Sequence, residues 1–430
     1  MNACRLLLAV TFILSGFVKA VDPMGTAYKI ADYLQAMHLG SLMPAVGTVV
    51  LSVALSVLEF AIGIFLLFAI RRRLASRAAV ALLAVMTPLT LWLAVANPVS
   101  DCGCFGDALV LTNWQTLWKN VVLLAAAVIV ALRPDAMFRF VSKSNQWIVI
   151  NYTLLFVLAI ASWSLYDLPL FDFRPYHVGA NIVEGMQIPE GKQPPQFETT
   201  FVLEKDGVKR EFSLEDYPDS TWTFVDSHTV QTAEGYVPPI HDFELTTDEG
   251  DDITEEVLSD TSYVFLLVAP HLETADDSRL DRINELYEYS QQQGYSFYGL
   301  TASNERAIAR WRDLTGAEYP FLTVDEITLK TIIRSNPGLL LLKRATVVRK
   351  WSCNNLPLIA PAQTGMPLDR LEIGQMPDDA TAAKIARLLL WFVLPLTLLV
   401  LADRIWMWTK WLHRRPRRKK TAEAEPTKSE

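Results

Sequence analysis

Cys102 and Cys104 flank one glycine in the run Asp101-Cys102-Gly103-Cys104-Phe105-Gly106-Asp107, which holds half of the chain's four cysteines. Two sulfurs one residue apart can close a disulfide only through a small, bent ring, which Gly103 permits because it has no Cβ to clash. A strained ring is easier to reduce than a relaxed structural bond, so the chemistry it points to is thiol–disulfide exchange. The same spacing also fits a tight polar turn whose cysteines stay as thiols, because Cys-x-Cys is a weaker redox signal than Cys-x-x-Cys. Both readings stand on the residues alone. A second candidate is Glu59, a carboxyl inside an apolar run. A charge there costs about 2.5 kcal/mol or more, so Glu59 should face the interior of a helical bundle and be protonated or paired. It reads either as a proton carrier near the thiols or as a protonated structural hydrogen-bond donor.

The elements that must position these residues are membrane helices. The chain has 430 residues, 51% of them hydrophobic, with its charges concentrated in one part. That combination predicts a multi-pass α-helical membrane bundle plus a water-soluble piece. Net charge −8 argues against nucleic acid as a partner. Four cysteines cannot form a disulfide framework, so the compartment must come from topology. Apolar runs predict spanning helices over 6–18, 45–70, 78–97, 118–132, 147–165 and 386–408. The first is short and is followed by no clean small-x-small cleavage site, and the third is kinked or interrupted at Pro88. Trp391, Trp406 and Trp408 are placed as interfacial anchors on the sixth.

Basic residues then orient the helices. Arg71, Arg72, Arg73 and Arg77 fall between the second and third spans, Arg133, Arg139 and Lys143 between the fourth and fifth, and seven Lys or Arg lie within 410–420. If every helix crosses once, all three clusters share a side, which the positive-inside rule makes cytoplasmic together with both termini. The expected location is a bacterial cytoplasmic (inner) membrane. The Cys102–Cys104 turn and the segment from about 166 to 385 would face the periplasm, where disulfides persist.

In that segment, 166–235 reads as a β-rich lead-in, with a hairpin turning at Asp206-Gly207. From 236 to 360, short apolar strands alternate with amphipathic helices: strands at 263–269, 295–301 and 319–324, helices at 277–292, 304–314 and 325–334, then a closing hairpin of LLLLK and TVVRKW. This order describes a small α/β sandwich. The stretch 244–260 holds eight Asp or Glu without calcium-loop spacing, so it reads as a solvated acidic turn, and no metal site is expected.

The order of elements over 236–360 resembles the thioredoxin-like fold of membrane-linked disulfide reductases and peroxiredoxins. PPIHDFELTTDEGDDIT stands where that fold has its first strand and turn, YVFLLVA is the first core strand, and Asn336-Pro337-Gly338 sits where it carries its cis-proline. In that family a Cys-x-x-Cys follows the first core strand, whereas this chain has Pro270-His271-Leu272-Glu273-Thr274-Ala275, without a sulfur. What the resemblance leaves is a docking edge at Asn336, Pro337 and Gly338, and no cofactor in the soluble domain. Cys353 is the sulfur outside the bundle that could meet the pair, although a buried, idle thiol is the plainer reading.

Residues 1–135 resemble the DoxX-like membrane proteins and, within them, the MauE group associated with methylamine utilisation and with making disulfides in exported proteins. The residues that carry this are SGFVKAVDP (Ser15 to Pro23), LEFAIGIFLL around Glu59, and DCGCFGD. The resemblance implies a four-helix redox-associated domain that exchanges thiols with an exported protein or with a quinone. Lys19 and Asp22 match the family's loop after the first helix, where pairing or helix capping is as good a role as catalysis. The leading expectation is therefore thiol–disulfide exchange through Cys102 and Cys104. A non-catalytic anchored scaffold and a transporter through the bundle are the rivals.

Overall fold

The computed structural model describes residues 1–99, 102–205, 208–213, 218, 221–233, 235–377 and 381–422. Asp101, the Asp206-Gly207 hairpin tip and the end of the basic tail lie outside the described residues. The chain divides into two units, Met1–Arg174 with Trp351–Asn355 and Pro377–Glu430, and Pro175–Lys350 with Leu356–Met376.

A run of about 20 apolar residues away from water can satisfy its backbone internally only as a helix. The first unit is built on that rule: α1 (Asn2–Val21), α2 (Pro23–Ala36), α3 (Ala45–Phe68), α4 (Arg72–Ala96), α5 (Asn113–Leu132), α6 (Gln146–Tyr166) and, beyond the second unit, α12 (Thr381–Ala422). Among the described residues, six of these are long and apolar enough to cross a membrane, and α2 is the exception.

Several ends differ from expectation, each for a local reason. α1 is a full span because Arg5 does not stop it: its buried guanidinium donates to the carbonyl of Phe138 at 3.1 Å. α4 starts at Arg72, so Arg72, Arg73 and Arg77 lie in its first turns and not between helices. Arg72 and Arg73 reach Asp135 at 3.1 and 2.8 Å, which fixes the loop after α5 to that end of the bundle. Pro88 does not interrupt α4. Beside the missing N–H, Thr87 and Thr90 donate their hydroxyls to the carbonyls of Leu83 and Met86 at 2.7 and 3.0 Å. α5 begins five residues earlier than its apolar run, at a Thr112–Gln115 capping box. α12 is held to the turn before α6 by buried Asp403, which accepts from Ser142 N, Ser142 Oγ and Asn145 Nδ2 at 2.6–2.8 Å. α2 carries no apolar signal and is set by local chemistry instead: Asp22 caps it by accepting from Gly25 N at 2.9 Å, with Pro23 in the first turn.

The second unit contains α7 (Ile182–Met186) and the antiparallel sheet β2-β1-β3, made of β1 (Gln196–Lys205), β2 (Val208–Ser213) and β3 (Thr223–Ala233). It continues through α8 (Thr254–Ser259), β4 (Tyr263–Val268), α9 (Leu280–Gln293), β5 (Ser296–Thr301), α10 (Glu305–Thr315), β6 (Phe321–Thr323), α11 (Glu326–Ile332), β7 (Gly338–Lys343) and β8 (Thr346–Ser352). The sheet order is β6-β5-β4-β7-β8, with β4, β5 and β6 parallel and β7 antiparallel to β4. This is a thioredoxin-like arrangement, and every residue of central β4 is buried, as its unbroken apolar run requires. The entry strand expected within PPIHDFELTTDEGDDIT is absent as a strand: Thr246 makes isolated bridges to Thr323 and Asp252, with Ile240, Phe243 and Leu245 buried and Asp248, Glu249 and Asp251 exposed.

Candidate thiol site at one mouth of the bundle

Close approach of α1 and α3 builds the floor of the site. A Cβ on Gly16 would lie 2.4 Å from the backbone N of Phe60, and one on Gly63 would lie 2.7 Å from the N of Ile13, so only glycine lets these backbones touch. One turn from Gly16, Lys19 meets Glu59 of α3, the neighbour of Phe60. The Lys19 ammonium donates to Glu59 Oε1 and Oε2 at 2.9 and 2.7 Å and to Ser15 Oγ at 2.8 Å, and both charged residues are about 95% buried, at 5% and 4% exposure. Of the two states expected for Glu59, the paired one is present: both of its carboxyl oxygens accept from Lys19 Nζ. Such a pair holds together because breaking it strands a charge in a low-dielectric interior.

The thiol turn sits on this floor. Gly103 and Gly106 take left-handed backbone conformations, at φ 60° and 52°, and Gly106 N donates to the Gly103 carbonyl at 3.1 Å. The carbonyl of Cys104 accepts from Ser15 Oγ at 2.7 Å and from Lys19 Nζ at 3.1 Å, while the carbonyl of Cys102 accepts from Tyr33 Oη of α2 at 2.5 Å. A Cβ on Gly103 would meet Lys29 Cγ at 3.1 Å, so α2 also lies against the turn. Both cysteines are half-buried and their sulfurs are 3.1 Å apart, within hydrogen-bond reach and unbonded.

One proton shared between two such sulfurs splits their acidities. The hydrogen bond from Cys102 holds the Cys104 thiol below its ordinary value, down to about 6, with help from the charges of Lys119 and Lys19 and against burial and Glu59. Cys102 is pushed well up, first by that same hydrogen bond, then by burial. The two shifts favour ionisation at Cys104 over Cys102, and a thiolate is the nucleophilic form of sulfur.

The residues brought together are thus Cys102, Cys104 and Glu59, and the sequence placed Glu59 near the thiols without its partner. Ser15 and Tyr33 carry no signal for the site in the sequence: Ser15 lies within SGFVKAVDP, and Tyr33 sits on α2, which has no apolar pattern. Asp22 is a helix cap, one of the roles open to it. Cys353 is buried, at 4% exposure.

Asn336, Pro337 and Gly338 belong to the second unit. Asn336–Pro337 is a cis peptide, as expected for that position. The edge beside it is occupied by the chain itself: Asp276 N donates to the Asn336 carbonyl at 2.9 Å, Asn336 Nδ2 donates to the His271 carbonyl at 2.8 Å, and Pro337 and Gly338 are buried. Where a Cys-x-x-Cys would stand, Leu272 N donates to Ser303 Oγ at 2.9 Å and His271 Nε2 meets Glu326 Oε1 at 2.9 Å. No groups of His, Cys, Asp or Glu suited to hold a metal occur among the described residues.

The two family matches fall one in each unit. Residues 1–133 match the family described as Methylamine utilisation protein MauE, so the first unit begins with a MauE family domain. Residues 197–234, which hold the three-stranded sheet, match a domain of unknown function, DUF8463. Among curated proteins no sequence matches. Solved structures resemble the thioredoxin-like part. StoA from Bacillus subtilis is 14% identical, covers 25% of this chain and 84% of its own, and has a TM-score of 0.21. The protein assigned as thiol:disulfide interchange protein DsbE from Chlorobium tepidum is 14% identical over 34% of this chain and 93% of its own, with a TM-score of 0.22. The bacterioferritin comigratory protein of Xanthomonas campestris is 14% identical over 26% and 82%, with a TM-score of 0.20. At these values the neighbours say nothing of activity here, and the fold assignment stands on strand order and register.

Proposed function

We propose that this multi-pass membrane protein exchanges disulfides with exported proteins through Cys104 and Cys102. The observation that carries the reading is the sulfur pair at 3.1 Å, with both cysteine carbonyls anchored by Lys19, Ser15 and Tyr33. A turn that served only to connect two helices would have no use for a buried ion pair beneath one sulfur-bearing residue.

The Cys104 thiolate attacks one sulfur of a partner disulfide, forming a mixed disulfide and expelling the partner's other sulfur as a thiolate. Cys102 then gives up its proton and attacks Cys104 Sγ, which closes the ring and releases the partner's second thiolate. Two electrons pass from the Cys102–Cys104 dithiol to the partner, and the same steps in reverse oxidise a partner dithiol. Glu59 holds the Lys19 ammonium in place and carries no proton in this scheme. The bundle supports a placement in the bacterial inner membrane: Arg5, Arg72 and Arg73 gather at one end with Asp135 and Phe138, and the thiol turn lies at the end where α1 finishes. By the positive-inside rule that second end is extracytoplasmic.

Cys102→Ser removes the resolving thiol and should accumulate a mixed disulfide on Cys104, seen as a band that collapses with reductant. Cys104→Ser should trap nothing. Equal trapping by both variants, or by neither, defeats the assignment of roles. The scaffold reading predicts that neither variant traps a partner.

A further inference from the structure

The exchange reading leaves open which charge serves the nucleophile. Among the described residues, the charged and titratable groups that face the sulfurs include Lys19 of α1, Lys29 and Tyr33 of α2, Glu59 of α3, Lys119 of α5 and each cysteine to the other. Lys19 is the cation built into the floor, yet both oxygens of Glu59 lie within 2.9 Å of its ammonium. Seen from Cys104, that pair is close to neutral. Lys29 meets Gly103 through the carbons of its stem.

Lys119 is differently placed. It projects from the second turn of α5, and its ammonium lies 4.5 Å from the centroid of the Phe105 ring, the residue directly after Cys104. Among the described residues no carboxylate lies within ion-pair distance of Lys119, so its positive charge is not cancelled locally. The ring face is an attractive seat for a cation without neutralising it. Phe105 is half-buried and directly follows Cys104, so the cation is seated on the thiol turn itself.

We propose that Lys119, seated on Phe105, is the positioning residue that keeps Cys104 in its attacking form, while Lys19 serves mainly to anchor the turn. This rests on the exchange reading and assigns the charge that makes it work. A cation seated on the residue next to Cys104 favours the ionised sulfur, whereas an ion pair contributes only the difference of two opposed charges. The ring sets the distance and the ammonium sets the sign.

The test is the pH dependence of iodoacetamide alkylation at Cys104 in the full-length reduced protein in detergent, quantified by mass spectrometry. Lys119→Met should move the midpoint upward by about one pH unit or more, and so slow alkylation at pH 6 about fivefold. Lys119→Arg should keep the wild-type midpoint, and Phe105→Leu should move it part of the way. A Lys119→Met midpoint equal to wild type overturns the proposal, provided the variant still forms the Cys102–Cys104 disulfide on oxidation, which shows that its turn is intact. If Lys119→Met no longer forms that disulfide, Lys119→Gln and Phe105→Leu decide by the same measure. A wild-type protein that alkylates as an ordinary thiol and never forms the disulfide instead removes the exchange reading itself.

Discussion

Two turns in this chain occupy places where redox chemistry could sit, and they are built in opposite ways. The Cys102–Cys104 turn of the first unit has sulfurs, and its main-chain carbonyls are held from below by a buried lysine, a serine and a tyrosine. The Pro270–Ala275 turn of the second unit follows the central strand of a thioredoxin-like sheet, the place where that fold keeps its dithiol, and it has no sulfur. Its polar groups satisfy one another: His271 with Glu326, Leu272 N with Ser303, Asn336 with the His271 carbonyl. The turn where that fold suggests redox chemistry has no sulfur, and the turn of the bundle has two. Architecture alone does not assign a reaction; the residues at the turn must.

That contrast can be broken most sharply at the buried pair. Lys19→Met strands the Glu59 carboxylate in the bundle and should destabilise the protein by about 3–5 kcal/mol, read as detergent unfolding. Lys19→Met combined with Glu59→Leu should recover much of that loss. A single variant within about 1 kcal/mol of wild type would mean that the pair does not hold the floor of the site.

A smaller effect separates a tuned thiol from an ordinary one. Because Cys104 is held down to about 6 by Cys102, Lys119 and Lys19, its attack on a partner disulfide, the first step of exchange, should fall as pH drops through 6 and be flat above about 7. The sign follows from protonation: acid converts the attacking thiolate into an inert thiol. A first-step rate that keeps climbing beyond pH 8 would instead belong to an unassisted cysteine.

The least effect is expected in the second unit. Lys330 first, then His271, holds Glu326 below the usual carboxylate range. Yet His271 and Glu326 are 43% and 41% exposed, so water screens their contact. His271→Ala should therefore cost at most about 1 kcal/mol of stability and leave exchange by Cys104 unchanged. Loss of exchange in that variant would make the second turn a participant after all.

Much of this was legible in the residues. Apolar runs of spanning length, basic clusters between them and the alternation of strands and helices over 236–360 determined a membrane bundle joined to a thioredoxin-like body, because burial and backbone satisfaction act on short stretches of chain. The same local logic named Cys102, Cys104 and Glu59. It failed at α2, whose start is a cap and not an apolar pattern, and at the starts of α4 and α5, where arginines and a capping box extend the helix past its hydrophobic part.

What only tertiary structure decided is who meets whom. Lys19 and Glu59 are 40 residues apart, and Ser15 and Cys104 are 89 apart. Nothing in either neighbourhood announces the other. Their meeting follows from two glycines, Gly16 and Gly63, that let α1 and α3 come close enough for a lysine to satisfy a carboxylate and a cysteine carbonyl at once. Pairing of buried charges is a property of distance in space, and distance is what a chain acquires only by folding.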